Sequence, residues 1–293
     1  MRLAVLGFAV ILCAGSGFAA AEDLDSAFTD FKQVEAQKDA GKLIESAVAT
    51  YALARKAAEA TAPEGVDKEA WDTTVANAKA IEVHIEYAVL TAALAGPTAT
   101  TVDLLSTLEK LNPKSKYLDD AYANYMDALR KTNATAKMPG VAEKGLANFP
   151  ENQTLLLWLA DYAYSHKQGA RSLGYSKRLI AAINKHPKAE SNAVLAHAYF
   201  LAGSASSDMG QYQEADKYLR AALPLSKGND ALRGQVLYVL GVANYQFGVM
   251  TNNKAMVVEA VKFSKQSADI PGPQQQNASH NAYVMEQQTY KMR

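Results

Sequence analysis

The stretch KGLANFPENQT, Lys144 to Thr154, decides how the chain is read. Leu146 and Phe149 close one apolar pattern, Pro150 stops it, and LLLWLADYAY opens another directly after. Proline has no amide hydrogen and its ring clashes with the preceding turn, so a helix running into Pro150 ends just before it. Similar junctions stand at EKLNPKS and INKHPKAE, and their prolines, Pro113, Pro150 and Pro187, are spaced by 37 and 37 residues. A stop signal written at a fixed interval predicts a structural repeat of that length.

Between the stops the chain reads as helix. Ala, Leu, Glu, Lys and Gln dominate, and the long Val/Ile/Thr alternation of strands is missing. Helices are predicted over 23–38, 41–61, 67–95, 100–112, 116–131, 138–148 and 153–167. They continue over 172–186, 190–209, 211–226, 230–249, 254–268 and 273–290. In the longest, Asp67 is a candidate N-cap for Ala70. Trp71, Val75, Ala78, Ile85, Val89 and Ala92 then share one face, and Gly96-Pro97 ends the pattern.

A second signal is independent of the prolines. YFLAGSASSDMGQYQEADKYLRAAL can be laid on LYVLGVANYQFG so that Gly203 meets Gly241 and Gly210 meets Gly248, both 38 apart. Periods of 37 and 38, each holding two helices, indicate stacked helical hairpins, because one hairpin cannot cover its own apolar face. Pro224 continues the 37-residue series but sits about three residues early against the glycine register. There it either kinks or shortens the helix that holds it.

Residues 196–229 resemble a tetratricopeptide repeat. Gly203 stands where that family keeps a small residue at the helix crossing. Gly210 and Tyr212 match its turn glycine and following aromatic, and Ala215 and Ala222 match its small residues of the second helix. GLANFPEN looks like a family repeat end, and NPKSKYLDDAY resembles the junctions of periplasmic members. Ser206 and the insertion VMTNNKAM depart from the pattern, and before residue 95 it fades. The resemblance implies an all-α, right-handed α-solenoid of stacked antiparallel helix pairs. The expected order is a leader over 1–21, an N-terminal helical region of worn repeats or a cap over 22–95, the array over 96–271, and a capping helix with a polar, solvating face over 272–293.

The leader is read from MRLAVLGFAVILCAGSGFAAAED. Arg2 precedes an apolar run of about ten residues, too short to cross a bilayer. Ala19 and Ala21 fit a small-x-small cleavage site, which predicts an exported chain, periplasmic or secreted, starting at Glu22. Cys13, the only cysteine, lies in this segment behind Leu12, which argues against lipid attachment. No disulfide then supports the exported chain. Without residues 1–21, which hold Arg2 and no acid, the basic count falls from 30 by one against 30 acidic residues. That balance gives no electrostatic case for nucleic acid or an anionic membrane surface. No later apolar run is long enough for an integral membrane segment.

His84 in IEVHIE stands two residues from Glu82 and Glu86, which a strand would gather on one face. In a helix residues two apart point about 200° away from each other, so no metal site is expected. GVAEKG (Gly140–Gly145) spaces glycines like a phosphate loop, but Leu146-Ala147 replace Lys-Ser/Thr. No cofactor and no enzymatic activity are expected. Asn133, Asn152 and Asn277 begin glycosylation triplets, which would matter only in a eukaryotic host.

Aromatics crowd the first helices of the hairpins, and most must be core. The family register places some first-helix positions on a concave inner wall. Here these are Leu157, Asp161 and Tyr164; His197, Phe200 and Ser204; and Tyr238, Val242, Tyr245 and Gln246. Aromatics beside polar groups suit capture of a peptide or helix from a protein partner. That reading expects Tyr164, Phe200, Tyr238 and Tyr245 to be partly exposed and Trp158 to be buried. The function implied is a non-enzymatic scaffold for protein contacts in the cell envelope. The rivals are an enzyme, or accessory domain, acting on envelope polymers, and a solute-binding helical protein with an enclosed pocket.

Overall fold

In the computed structural model, which describes residues 16–187 and 191–292, thirteen α-helices are present among the described residues. They are α1 (Ser16–Gln37), α2 (Ala40–Glu59), α3 (Lys68–Ala95), α4 (Thr98–Leu111), α5 (Leu118–Lys131), α6 (Met138–Asn148) and α7 (Gln153–Ser165). The rest are α8 (Gly169–Lys185), α9 (Ser191–Asp208), α10 (Tyr212–Leu225), α11 (Asp230–Met250), α12 (Lys254–Ala268) and α13 (Gln275–Lys291). Each matches a predicted segment to within a few residues at its ends, apart from an earlier start of α1. Of the expected leader, residues 1–15 lie outside the described residues.

The junctions explain the periodicity. Pro113, Pro150 and Pro187 each stand two residues beyond the end of α4, α6 and α8. Pro224 differs: α10 runs through it and ends at Leu225, so it occupies the last turn without shortening the helix before it. The hairpin turns use a second device. Lys38, Asn133, Lys167, Gly210 and Asn252 all have positive φ, between 50° and 74°. After four of these residues the next amide bonds back five positions: Ala134 to Leu129, Gln168 to Ala163, Gln211 to Ser206 and Asn253 to Gly248. This left-handed closure satisfies the last carbonyls of the first helix and reverses the chain.

That device corrects one alignment. Gly203 and Gly241 are equivalent, for each faces the second helix of its own hairpin. A Cβ on Gly203 would meet Leu219, and one on Gly241 would meet Ser264. Gly210 and Gly248 are not equivalent. Gly210 is the left-handed turn residue, whereas Gly248 lies inside α11 against Val257, and Asn252 makes that turn. The insertion VMTNNKAM lengthens α11 by about a helical turn and displaces the reversal.

The helices gather into two compact units that divide between Thr135 and Ala136. In each, consecutive helices pack against one another, as in an all-α solenoid. The expected boundary at 95–96 falls inside the first unit, at the turn between α3 and α4. There Asp67 caps α3 by accepting from the Ala70 amide at 3.0 Å. The α3 face carrying Trp71, Ala78, Ile85 and Val89 is buried.

The NPKS junction of this unit does more than stop a helix. Asn112 Oδ1 accepts from the Lys114 amide at 3.1 Å, while its Nδ2 donates to Glu86 Oε1 at 2.8 Å. Ser115 Oγ donates to Glu86 Oε2 at 2.7 Å, and Tyr51 Oη donates to Glu86 Oε1 at 2.8 Å. Glu86 is only 4% exposed. Three donors offset the cost of burying its carboxylate and tie α2, α3 and the α4–α5 junction together. Burial, with the Glu86 carboxylate beside it, pushes the Tyr51 phenol well above its ordinary range. Tyr122 is shifted the same way by burial next to Glu109, to which it donates at 2.9 Å.

In the second unit the α6–α7 junction is anchored to the second helix of the next hairpin, α8. Arg178 donates to the Pro150 carbonyl at 2.9 Å, Lys185 pairs with Glu151 at 2.7 Å, and Gln153 donates to the His186 carbonyl at 3.0 Å. The first helices also approach one another directly, α7 to α9, α9 to α11 and α11 to α13. The second helices α8, α10 and α12 have no comparable approach among the described residues, and long side chains span the gap instead. Lys177 meets Glu214 at 2.9 Å and Arg220 meets Glu259 at 2.6 Å. Glu143 meets Arg171 in the same manner. First helices drawn together and second helices held apart curve this unit toward its first-helix side.

Candidate functional site

In the wall of first helices of the second unit, α9 is more continuously buried than the helix behind it. α9 is buried over Phe200–Ser207 because it packs on its own second helix, on the preceding one and on α7. α10 has only Ala215, Leu219 and Ala222 fully buried, with polar residues on its outer side. A first helix therefore has few positions left that face outward.

The structure joins the α7 and α9 candidates. Asp161 Oδ1 and His197 Nε2 stand 2.7 Å apart, both side chains partly exposed, and bridge the two helices. Tyr164 meets Phe200 edge-on at 6.2 Å between ring centroids, and His197 lies 6.1 Å from the same ring. Leu157 is half-buried against the shared core. Burial raises the Tyr164 phenol above its ordinary range.

Two candidates are core instead. Phe200 is 6% exposed and Ser204 1%. Phe200 packs in one cluster with Leu201, Ala215, Leu219 and Leu240, so it supports the wall from behind. One residue is about 100° on a helix, so a small slip in register carries a first-helix position from the open side into the core. Trp158 departs in the opposite sense. It is half-buried rather than buried, stacked on Tyr162 at 5.1 Å, and Tyr162 lies 4.0 Å from the His166 ring. The three rings stand at steps of four along α7, the spacing of one helical stripe, whereas the sequence reading expects Trp158 in the core.

The α11 candidates differ among themselves in exposure. Tyr238 and Val242 are half-buried and Gln246 is exposed. Tyr245 packs against Ala260, Val261 and Met285, on α12 and α13. The expected solvating cap is mixed in character. α13 buries Ala278, Ala282 and Met285, yet its outer side shows Tyr283 and Tyr290 as well as polar residues.

His84, examined as a metal ligand, is held by Glu35 Oε2 at 3.0 Å and by the edges of Phe28 and Phe31. Glu82 turns to Arg55 and Glu86 to its three donors, so the three groups diverge as the helical geometry requires. Among the described residues no three His, Cys, Asp or Glu side chains gather to hold a metal ion. No described helix is long and apolar enough to cross a membrane. A cleft of about 550 Å³ in the first unit, lined by Glu35, Lys38, Leu43, Ala88, Ala92 and Gly96 among others, is open on one side. No family model matches the chain, and no curated protein is significantly similar to it.

Proposed function

We propose that the chain is a tetratricopeptide-like scaffold of the cell envelope, exported by the leader 1–21, that holds a peptide or helix of another protein along the first helices of its second unit. The observation that carries this reading is the Asp161–His197 pair. It bridges two hairpins at 2.7 Å, stays partly open to solvent, and is flanked by Tyr164 and Leu157. A partly exposed carboxylate–imidazole contact of this kind contributes little to stability. Beside aromatic edges it offers a partner both a charged anchor and apolar area. The curvature toward the first helices shapes the surface before any partner arrives, which lowers the ordering cost of binding.

A photo-reactive residue placed at Asp161 or at Gln246, in the native host, tests it. The same protein partner should be trapped from both positions and not from Lys217, an exposed residue of the second helix α10. Equal trapping from all three positions, or trapping of glycan in place of protein, overturns the proposal.

A further inference from the structure

The outer side of α3 carries an apolar pattern distinct from the face that packs into its unit. Ala76, Ala80, Val83, Tyr87, Leu90 and Leu94 follow one another in alternating steps of four and three residues. That is the heptad spacing of a coiled-coil seam. The buried residues Ala78, Ile81, Ile85, Ala88 and Val89 lie on the other side of the same helix. Along the seam Val83 is 42%, Tyr87 53% and Leu94 51% exposed. Ala76 and Ala80 are also exposed, and Leu90 is half-buried. Tyr87 rests against Tyr117 with ring centroids 5.7 Å apart, so it is positioned from within the unit.

The seam is graded in size, with alanines toward the helix start and bulky residues toward its end. A second α3 laid antiparallel about Val83 complements that gradient. Ala80 then faces Tyr87, Ala76 faces Leu90, Thr73 faces Leu94, and Val83 meets its own copy on the two-fold axis. Each bulky half fills the space left by the partner's small half, and every contact occurs twice, as an isologous interface requires. A parallel pair would set Tyr87 on Tyr87 and Leu94 on Leu94, propping the helices apart where the alanines should touch. Antiparallel helix dipoles also attract, each positive start lying beside a negative end.

We infer that two copies of this chain associate through an antiparallel pairing of α3. From Thr73 to Leu94 the seam is about 32 Å long, and a strip about 10 Å wide covers roughly 300 Å² per copy. A standard interface takes about 800 Å² per partner, so the dimer is a weak one with a dissociation constant in the micromolar range or above. This inference does not depend on the wall of the second unit.

Sedimentation of the purified protein over a concentration series tests it. The expected result is a reversible monomer–dimer equilibrium, weakened about tenfold or more by Tyr87→Lys and by Leu94→Lys with unchanged helix content. Orientation is tested by disulfide trapping in a Cys13→Ser background, since Cys13 is the only cysteine. Ala80→Cys mixed with Tyr87→Cys should give the mixed cross-link under a mild oxidant, and Ala80→Cys alone should not cross-link. A protein that stays monomeric up to its solubility limit, or a dimer indifferent to both lysine variants, overturns the inference. Cross-links formed only between identical positions overturn the antiparallel pairing, and a seam that binds a helix of another protein without self-association overturns the choice of partner.

Discussion

Gly203 is the position at which the hairpin register can be tested most sharply. A Cβ there would stand 2.5 Å from Leu219 Cγ, 2.8 Å from its Cδ2 and 3.3 Å from the Ala215 carbonyl oxygen. Leu219 is fully buried in one cluster with Ala215, Ala222, Leu237 and Leu240, so it has nowhere to swing. Replacing a mid-helix glycine gains about 1 kcal/mol of helix propensity. Overpacking costs about 1–3 kcal/mol, and a leucine brings three carbons beyond the one that already clashes. Gly203→Leu should therefore lose about 2 kcal/mol net, or about 4–8 °C in Tm for a unit of this size. Leu219→Ala alone opens a cavity worth about 2–5 kcal/mol. If the two side chains compete for one space, the double variant should recover about 1–3 kcal/mol relative to the sum of the singles. Thermal melts followed by far-ultraviolet circular dichroism give all four corners of the cycle. A Gly203→Leu melt within about 1 °C of the parent, or a strictly additive cycle, would refute the assigned crossing of α9 and α10.

The buried carboxylate in the first unit predicts that Ser115→Ala leaves Glu86 one donor short and costs about 1–3 kcal/mol, read as a lower midpoint in urea. Tyr51 and Tyr122 hold their protons more tightly folded than unfolded. Their contribution is therefore complete below the unfolded phenol value of about 10 and is lost as the pH climbs above it. Ultraviolet titration should show a tyrosine fraction that ionises only together with alkaline unfolding; titration of every phenol in the native state would contradict this. Glu214 is held below the ordinary carboxylate range chiefly by its hydrogen bond to Lys177. Its share of stability is present above the unfolded value and lost as the pH falls through the folded one, and because the pair is exposed, Glu214→Gln should leave the acid midpoint nearly unchanged.

Helix placement was legible because its signals are local. Proline stops, an Asp67 cap and a helical stripe each act within a few residues. The turns were partly legible. Gly210 announces a left-handed residue, and Asn133 and Asn252 tolerate one, but nothing in Lys167 marks it as the same element. The pairing of Gly248 with Gly210 failed because spacing alone cannot separate a glycine needed for close approach from one needed for positive φ. The Glu86 cluster was out of reach, since its donors lie 26, 29 and 35 residues away in sequence and meet only after the helices stack.

The candidate wall shows the same division. Asp161 and His197 lie 36 residues apart, close to the repeat period, so a repeat brings them to corresponding places on neighbouring first helices. That they pair is a consequence of α7 and α9 approaching directly, which the second helices do not. The same approach buries Phe200 and Ser204, for a helix touched on three sides keeps only a narrow outward strip. The strip is left with side chains that pack poorly into a core: a carboxylate, an imidazole and the edge of a tyrosine, which is where the proposed recognition would rest. Tyr245, seated on Val261 and Met285, belongs to the packing and not to that strip. Truncating it should lower the melting temperature, whereas changing Asp161 should alter capture of a partner with little effect on the fold.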